Sequence, residues 1–269
     1  MHSEKRSHHI GMFDSGLGGL TVLQQLRSVL PCESIIYFGD TARVPYGEKS
    51  PDTIIRYSLE NASFLMDKQI KMLVVACNTV SSYALEHLKD MCDIPVIGVI
   101  EPGAQKAVEE TKNQHIAVLG TTATIRSGMY EREILKRLPK AKIFPVACPL
   151  FVPLVEEQFL NHAASRLIVK EYLHVLHGKN IDTVLLGCTH YPLLRHLIQE
   201  ELGPDITIVD SAKSCAESVA NILKSKEIEC AAHQVPKYQY FVSDDPIFFR
   251  TKSRGFLGDS IDHVESTKV

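Results

Sequence analysis

The sequence predicts an α/β protein made of two pseudo-symmetric units, each with its own parallel sheet and with a cleft between them. Three observations carry that expectation. First, Leu73-Val74-Val75-Ala76-Cys77-Asn78-Thr79 and Val184-Leu185-Leu186-Gly187-Cys188-Thr189-His190 are continuous apolar runs that stop at a cysteine and small polar residues. Runs of that kind read as strands buried on both faces of a parallel sheet. Second, the surroundings repeat at a near-constant offset: Asp93-Ile94-Pro95-Val96-Ile97 is echoed by Asp205-Ile206-Thr207-Ile208-Val209, and His9 to Ser15 by His115 to Thr121. Chance similarity between generic buried strands explains any one pair, but three pairs in order argue for a duplicated unit. Third, strand-like runs alternate with helical periodicity, which requires parallel strands joined by right-handed crossovers.

Each half reads as strand, helix, strand, helix, strand, helix, strand. Ile10 to Phe13 is the first strand, and Leu20, Leu23, Leu26 and Leu30 then recur at the spacing of a helix packed on one face. Ser34 to Phe38 is the second strand. Ser50-Pro51 has the form of an N-cap with proline at the first helical position, followed by an expected buried stripe of Ile55, Leu59, Ala62 and Met66. The strand ending at Cys77, a helix carrying Ala84 and Leu88, and a strand from Pro95 to Val99 complete this half. The second half places strands at Ile116 to Leu119, Lys142 to Val146, Thr183 to Leu186 and Ile206 to Val209. Its helices are expected near Ile125 to Leu138, His162 to Leu176 and Tyr191 to Leu202. A helix near Ala212 to Leu223, a strand near Tyr238 to Val242 and a helix started by Asp245-Pro246 close the chain.

Composition narrows the function classes. The 269 residues, 45% hydrophobic and 23% charged, fit a globular protein with a sizeable core. A formal net charge of -3 with scattered Lys and Arg argues against nucleic acid as a main partner. No apolar stretch has the length of a membrane span, and Met1 to His9 lacks the apolar core of a signal peptide. That opening is expected to be a disordered tail, with His8-His9 solvated rather than metal-binding. Seven cysteines, an odd number without C-x-x-C, point to free thiols in a reducing cytoplasm.

In open α/β sheets ligands sit beyond the carboxyl ends of the strands, so six loops become candidates. They are Asp14 to Gly19, Asp40 to Gly47, Cys77 to Thr79, Gly120 to Thr124, Pro149 to Glu157 and Cys188 to His190, in three symmetric pairs. Asp14-Ser15-Gly16-Leu17-Gly18-Gly19 offers backbone N–H groups to a carboxylate or phosphate, but it lacks the Lys of a P-loop and the third glycine of a dinucleotide fingerprint. A tight turn without function accounts for the glycines; it does not account for Asp14. Cys32, Cys92, Cys148, Cys215 and Cys230 read as small buried apolar residues. Arg43 reads as a surface charge. Cys77 and Cys188 differ, because each closes a strand beside hydroxyls and His190 follows Cys188 closely. Zinc held by Cys77, Cys188 and His190 is disfavoured by the absence of paired ligand spacing. A nucleophilic mechanism needs one thiol, whereas acid/base groups on opposite faces of one carbon invert a stereocentre: one thiolate removes the proton and the opposite thiol returns one.

At these residues the chain resembles the glutamate racemases, within the cofactor-independent aspartate/glutamate racemase superfamily. The motifs are Asp14 to Gly19, Asp40 with Pro45-Tyr46-Gly47, Ala76-Cys77-Asn78-Thr79, Glu101-Pro102-Gly103, Gly120-Thr121, Pro153-Leu154-Val155-Glu156, Gly187-Cys188-Thr189-His190 and Val209-Asp210-Ser211-Ala212. The resemblance implies interconversion of L- and D-glutamate without a cofactor, supplying D-glutamate for peptidoglycan and so for cell wall and cell shape. It implies that Cys77 works on the proton of the D-enantiomer, assisted by Asp14, and Cys188 on that of the L-enantiomer, assisted by Glu156 and His190. By motif register Glu156 is chosen over Glu157. Substrate contacts are implied for Ser15, Pro45, Tyr46, Gly47, Asn78, Thr79, Thr121, Thr124 and Thr189. Aspartate racemases of the superfamily usually carry Glu where this chain has His190, which favours glutamate as substrate. The resemblance further implies a C-terminal segment that returns to the first domain, giving domains of 1–97 with 209–269, and of 98–208. A homodimer is common in the family, with no interface selected here. Two alternatives stand beside this reading. One is a related isomerase acting on aspartate, a hydantoin or maleate. The other is a regulatory binding protein on the same scaffold, since family members have been linked to effects on DNA gyrase; that role would survive loss of both thiols, and the net charge gives it no electrostatic support.

Overall fold

The computed structural model describes residues 6–269, so the expected tail at positions 1–5 lies outside the described residues. From residue 6 onward the chain is tied down rather than loose. Arg6 Nε donates to Glu227 O, and Lys71 N donates to His9 O at 2.9 Å.

Two wholly parallel sheets organise the chain. In the first lobe β1 (Ile10–Asp14), β2 (Ile35–Gly39), β3 (Met72–Val75) and β4 (Val96–Gly98) lie in the order β2-β1-β3-β4. In the second, β5 (His115–Gly120), β6 (Lys142–Ala147), β7 (Thr183–Gly187) and β8 (Thr207–Asp210) lie in the order β6-β5-β7-β8. The orders are the same when the halves are matched, as a duplicated unit requires. The first sheet is extended by β9 (Tyr238–Val242) beside β2 and by a short β10 (Glu265–Ser266). Strand β8 carries the second sheet through Asp210, past the expected boundary at 208.

The strands are buried as their composition demands. Every residue of β1, β2, β3 and β7 is buried, whereas β6, at a sheet edge, is largely part-exposed. Helix α1 (Leu20–Val29) buries Leu20, Leu23 and Leu26, while Leu30 at its end is only half-buried. Helix α2 (Pro51–Asp67) starts as expected, with Ser50 Oγ accepting from Thr53 N. Its buried stripe is displaced by one residue, to Ile54, Ser58, Asn61, Ala62 and Leu65, because two polar side chains on that face have internal partners: Ser58 donates to Ile54 O, and Asn61 joins an Arg43–Tyr46 network. The helix after β3 is broken at Ala84 into α3 (Asn78–Tyr83) and α4 (Leu85–Met91). Helix α5 (Ile100–Glu110) was not expected; Pro102 and Gly103 in its first turn disguise it, although proline is tolerated there. The helix after β5 is broken by the left-handed Gly128 into α6 (Thr122–Ser127) and α7 (Met129–Arg137). Short α8 (Phe151–Glu156) occupies what read as a loop, and α9 (Ala163–Leu173) and α10 (Arg195–Leu202) follow.

Helix α11 (Ser211–Ser225), capped by Asp210, packs on α1 of the first lobe and on α5 beside the second sheet. Its Ala216, Val219 and Leu223 join one continuous apolar cluster that holds Leu23 and Leu26 of one lobe and Leu186, Phe151 and Tyr191 of the other. Burial at about 1.5–3 kcal/mol per large side chain makes this shared seam a main bond between the lobes. Helix α12 (Pro246–Leu257), capped by Asp245, then returns to α1. Both sheets thus point their carboxyl ends at a common cleft. Among the described residues no helix is long and apolar enough to cross a membrane.

Candidate active site

All six post-strand loops contribute to one cavity of about 270 Å³. Its walls include Ser15, Pro45, Tyr46, Gly47, Cys77, Asn78 and Thr79 from the first lobe, and Thr121, Glu156, Cys188, Thr189 and His190 from the second. Asp14 and Thr124 do not face it: Asp14 is buried behind Gly16, and Thr124 stands behind Thr121. Gly16, Pro149, Pro153 and Glu157 also line it, together with Val44, Glu48, Thr122 and Val152, which were not singled out from sequence. All are within or next to the candidate loops, but their side chains carry no signal of their own.

The two sulfurs face this space from symmetric positions, each just beyond an inner strand, β3 or β7, that neighbours an edge strand of its sheet. Each residue is only 6% exposed. Burial, then the charge of Asp14, pushes the Cys77 thiol up to about 11, while the N–H groups of Val80 and Thr79 and the Ser15 hydroxyl hold it down. The thiol itself donates to Ser15 Oγ at 3.7 Å. Burial also raises Cys188, opposed by the His190 N–H and reinforced by the charges of Cys77, Asp14 and Glu156. Cys188 therefore feels the charge of Cys77, as expected of two proton carriers in one site. Burial raises the Asp14 carboxyl as well, against the pull of His190 and of the Gly16 and Gly19 N–H groups. Gly16 N donates to Asp14 Oδ2 at 2.9 Å, so this N–H of the glycine loop is taken internally rather than offered to a ligand.

On the second lobe a chain of polar contacts leads away from Cys188. The sulfur lies 3.9 Å from His190 Nδ1, and His190 Nε2 lies 3.0 Å from Glu156 Oε1. Phe256 packs edge-on against the imidazole at 5.4 Å. Glu156 is therefore the carboxylate turned towards the histidine, while Glu157 is exposed and 4.0 Å from Lys252. Lys252 also donates to the Glu156 carbonyl at 2.8 Å, which fixes the end of α8.

The lobes touch around the cavity through small groups. Thr79 Oγ1 lies 3.0 Å from Thr121 Oγ1 and 3.3 Å from Thr124 Oγ1 across the cleft. Thr21 donates to Thr189 O at 2.9 Å. A Cβ on Gly18 would lie 2.2 Å from Thr189 Oγ1 and 2.5 Å from the His190 ring, so only glycine permits this approach. Arg43 is not a free surface charge. It pairs with Asp40 at 2.7 Å and with Glu60, donates to Asn61 Oδ1, and so braces Tyr46, whose hydroxyl donates to Asp40. Cys92, Cys148 and Cys215 are buried as expected, but Cys32 and Cys230 are half-buried. Among the described residues no group of three or more His, Cys, Asp or Glu side chains is placed to hold a metal ion.

Two acid/base sulfurs facing one small, hydroxyl-lined cavity can move a proton across a carbon held between them. The wider comparisons agree in kind. A family model described as Asp/Glu/Hydantoin racemase matches residues 20–219. A glutamate racemase of Geobacter metallireducens is 49% identical over 255 residues, covering 95% of this chain and 94% of that protein. Among solved structures, a glutamate racemase isoform of Bacillus anthracis has a TM-score of 0.94 at 40% identity, covering 97% of this chain and 98% of the other. Glutamate racemase of Francisella tularensis in complex with D-glutamate has a TM-score of 0.92 at 37% identity, covering 98% of each chain.

Proposed function

The chain belongs to the Asp/Glu/hydantoin racemase family, and from that premise we propose that it interconverts L- and D-glutamate by moving the α-proton between Cys77 and Cys188. The observation that carries this reading is the placement of both sulfurs on one cavity, at equivalent strand ends of two equivalent sheets. One thiolate takes the proton from its face of the α-carbon. The opposite thiol then gives its proton to the other face, and the roles reverse for the other enantiomer. The reaction consumes no co-substrate, and neither proton transfer asks for a cofactor.

Asp14 is the group that moves a proton to or from the Cys77 side. The Glu156–His190 pair does this for Cys188. Ser15, Asn78, Thr79, Thr121 and Thr189 offer neutral donors to the two carboxylates, with Pro45, Tyr46 and Gly47 shaping the wall and Thr124 holding Thr121. Exclusion of water on substrate binding would strengthen each bond from these neutral donors to a carboxylate. His190, in place of the glutamate usual in aspartate-directed relatives, supports glutamate over aspartate. The D-glutamate made would serve peptidoglycan synthesis in the cytoplasm. The decisive test is incubation of purified protein in D₂O without added cofactor, with solvent deuterium followed at the α-carbon. Glutamate should exchange and racemise; exchange of aspartate or a hydantoin, or conversion of maleate to its trans isomer, in its place would replace this reading by a related isomerase.

Two further outcomes follow from the geometry. Because both thiols are raised and the abstracting form is the thiolate, its population grows with pH below their apparent values. Accordingly kcat/KM should rise between about pH 6 and 9, and a profile that falls over that range contradicts thiolate abstraction. Gly18→Ala forces a methyl into Thr189 and His190, displacing the Cys188 side by a fraction of an ångström or more. Displacements of about 1 Å can cost ~10²-fold in rate, so kcat/KM should fall by roughly that factor while circular dichroism stays unchanged. Full activity would show that the cleft tolerates repositioning there.

A further inference from the structure

We propose that Tyr130 is a positioning residue for the reaction, acting by locking the Asn78 amide so that its Nδ2 faces the cavity as a fixed donor to a substrate carboxylate. The inference rests on the racemase reading of this cavity. Asn78 adjoins Cys77, lines the cavity and is only 2% exposed. Its Oδ1 accepts from Tyr130 OH at 2.6 Å, a bond that crosses from the second lobe to the first. Its Nδ2 is buried and has no hydrogen-bond partner among the described residues. A buried amide N–H₂ without an acceptor costs about 1–3 kcal/mol, so such an atom at a cavity wall marks where a ligand acceptor belongs.

The tyrosine is itself held in place. It is the second residue of α7, just after the left-handed Gly128, is 3% exposed, and its ring lies against the backbone before Cys188. A Cβ on Gly187 would come within 2.8 Å of Tyr130 Cε2, so the ring packs directly against that strand end. Burial raises the phenol, which therefore stays protonated and donating. A primary amide has two ends of opposite polarity, an accepting oxygen and a donating NH₂. With its oxygen pinned by Tyr130, Asn78 offers only hydrogen-bond donors to the cavity. Released, it could turn its oxygen inwards and repel a carboxylate. The Tyr130 side chain touches the residue after one sulfur, Asn78, and the residue before the other, Gly187, which couples carboxylate position to the two acid/base groups.

Steady-state kinetics with L- and D-glutamate on the full-length protein test this. Tyr130→Phe keeps the ring and removes the hydroxyl; KM should rise about tenfold while kcat falls less than about threefold. Asn78→Ala should raise KM at least as much, and the double variant should match Asn78→Ala alone, because Tyr130 acts through that amide. An unchanged KM in Tyr130→Phe, or additive effects in the double variant, overturns the proposal. Asn78→Asp is an arm that does not depend on Tyr130→Phe folding. One oxygen would lie under the phenol and the other would present negative charge to the cavity, so KM should exceed that of Asn78→Ala. A KM equal to or below it also overturns the proposal. A wild-type protein that does not racemise glutamate would instead remove the functional reading beneath it.

Discussion

Cys77→Ala and Cys188→Ala are each expected to lower glutamate racemisation by roughly 10³-fold or more, with the cooperative unfolding transition retained. The sulfurs are a symmetry-matched pair of acid/base groups on this cavity, one from each lobe, and inversion needs one on each face. Cysteine to serine should not rescue, because a hydroxyl is a far weaker acid than a thiol and would not supply the abstracting anion. Alanine at either position removes one small atom from a site already open to a cavity, so stability should change little. The single variants differ in an informative way. A remaining thiolate can still take a proton from the enantiomer whose face it addresses and return one drawn from solvent. Cys188→Ala should therefore exchange the α-proton of D-glutamate without inverting it, and Cys77→Ala that of L-glutamate. Polarimetry and mass spectrometry read the two processes separately. Continued inversion by either variant would end the two-sulfur account.

The parts of this fold that sequence exposed are those with local or periodic signals. Continuous apolar strands, the Ser50-Pro51 and Asp245-Pro246 helix starts, and the repeated strand-Cys motifs each write their structure into neighbouring residues. The loops at strand ends then located the cavity without further information. What stayed hidden depends on partners distant in sequence. The buried stripe of α2 is shifted because Asn61 bonds Arg43 and Tyr46, and Arg43 looks like a surface charge until Asp40 and Glu60 are seen around it. The Tyr130–Asn78 bond joins the two lobes, so no spacing rule could reveal it. Gly128 and Ala84 break helices whose periodicity runs on across the break. Glu156 and Glu157 are adjacent in sequence, but about 100° of helical rotation turns one to His190 and the other to solvent. Motif register alone favoured the first; the His190 contact gives that choice a geometric basis.

The opposite end of the first sheet holds a second non-local device whose removal should be felt in stability rather than chemistry. Lys71 and Glu33 precede β3 and β2, and their side chains are 0% and 3% exposed with Nζ 2.6 Å from Oε2. Lys71 Nζ also donates to Ile228 O at 2.9 Å and Arg6 O at 3.2 Å, while Glu33 Oε1 accepts from Cys230 N at 2.8 Å. The pair therefore ties the chain entering the protein, and the segment leaving α11, to the amino ends of the strands. A buried pair of this kind contributes little relative to a well-packed apolar replacement, but losing one member strands the other charge out of water. Lys71→Met should destabilise by about 3–5 kcal/mol, and at roughly 2–4 °C per kcal/mol the Tm should drop by about 6–20 °C. Adding Glu33→Leu removes the stranded carboxylate and should recover part of that loss. Recovery stays incomplete because Cys230 N–H and Ile228 C=O then lack their side-chain partners. Since the cavity lies at the carboxyl ends of the strands, kcat and KM at 25 °C should stay within about twofold of wild type for the folded fraction. A Tm change under about 2 °C in Lys71→Met would mean that water or a rearranged side chain reaches Glu33, and the tether would carry none of the stability assigned to it.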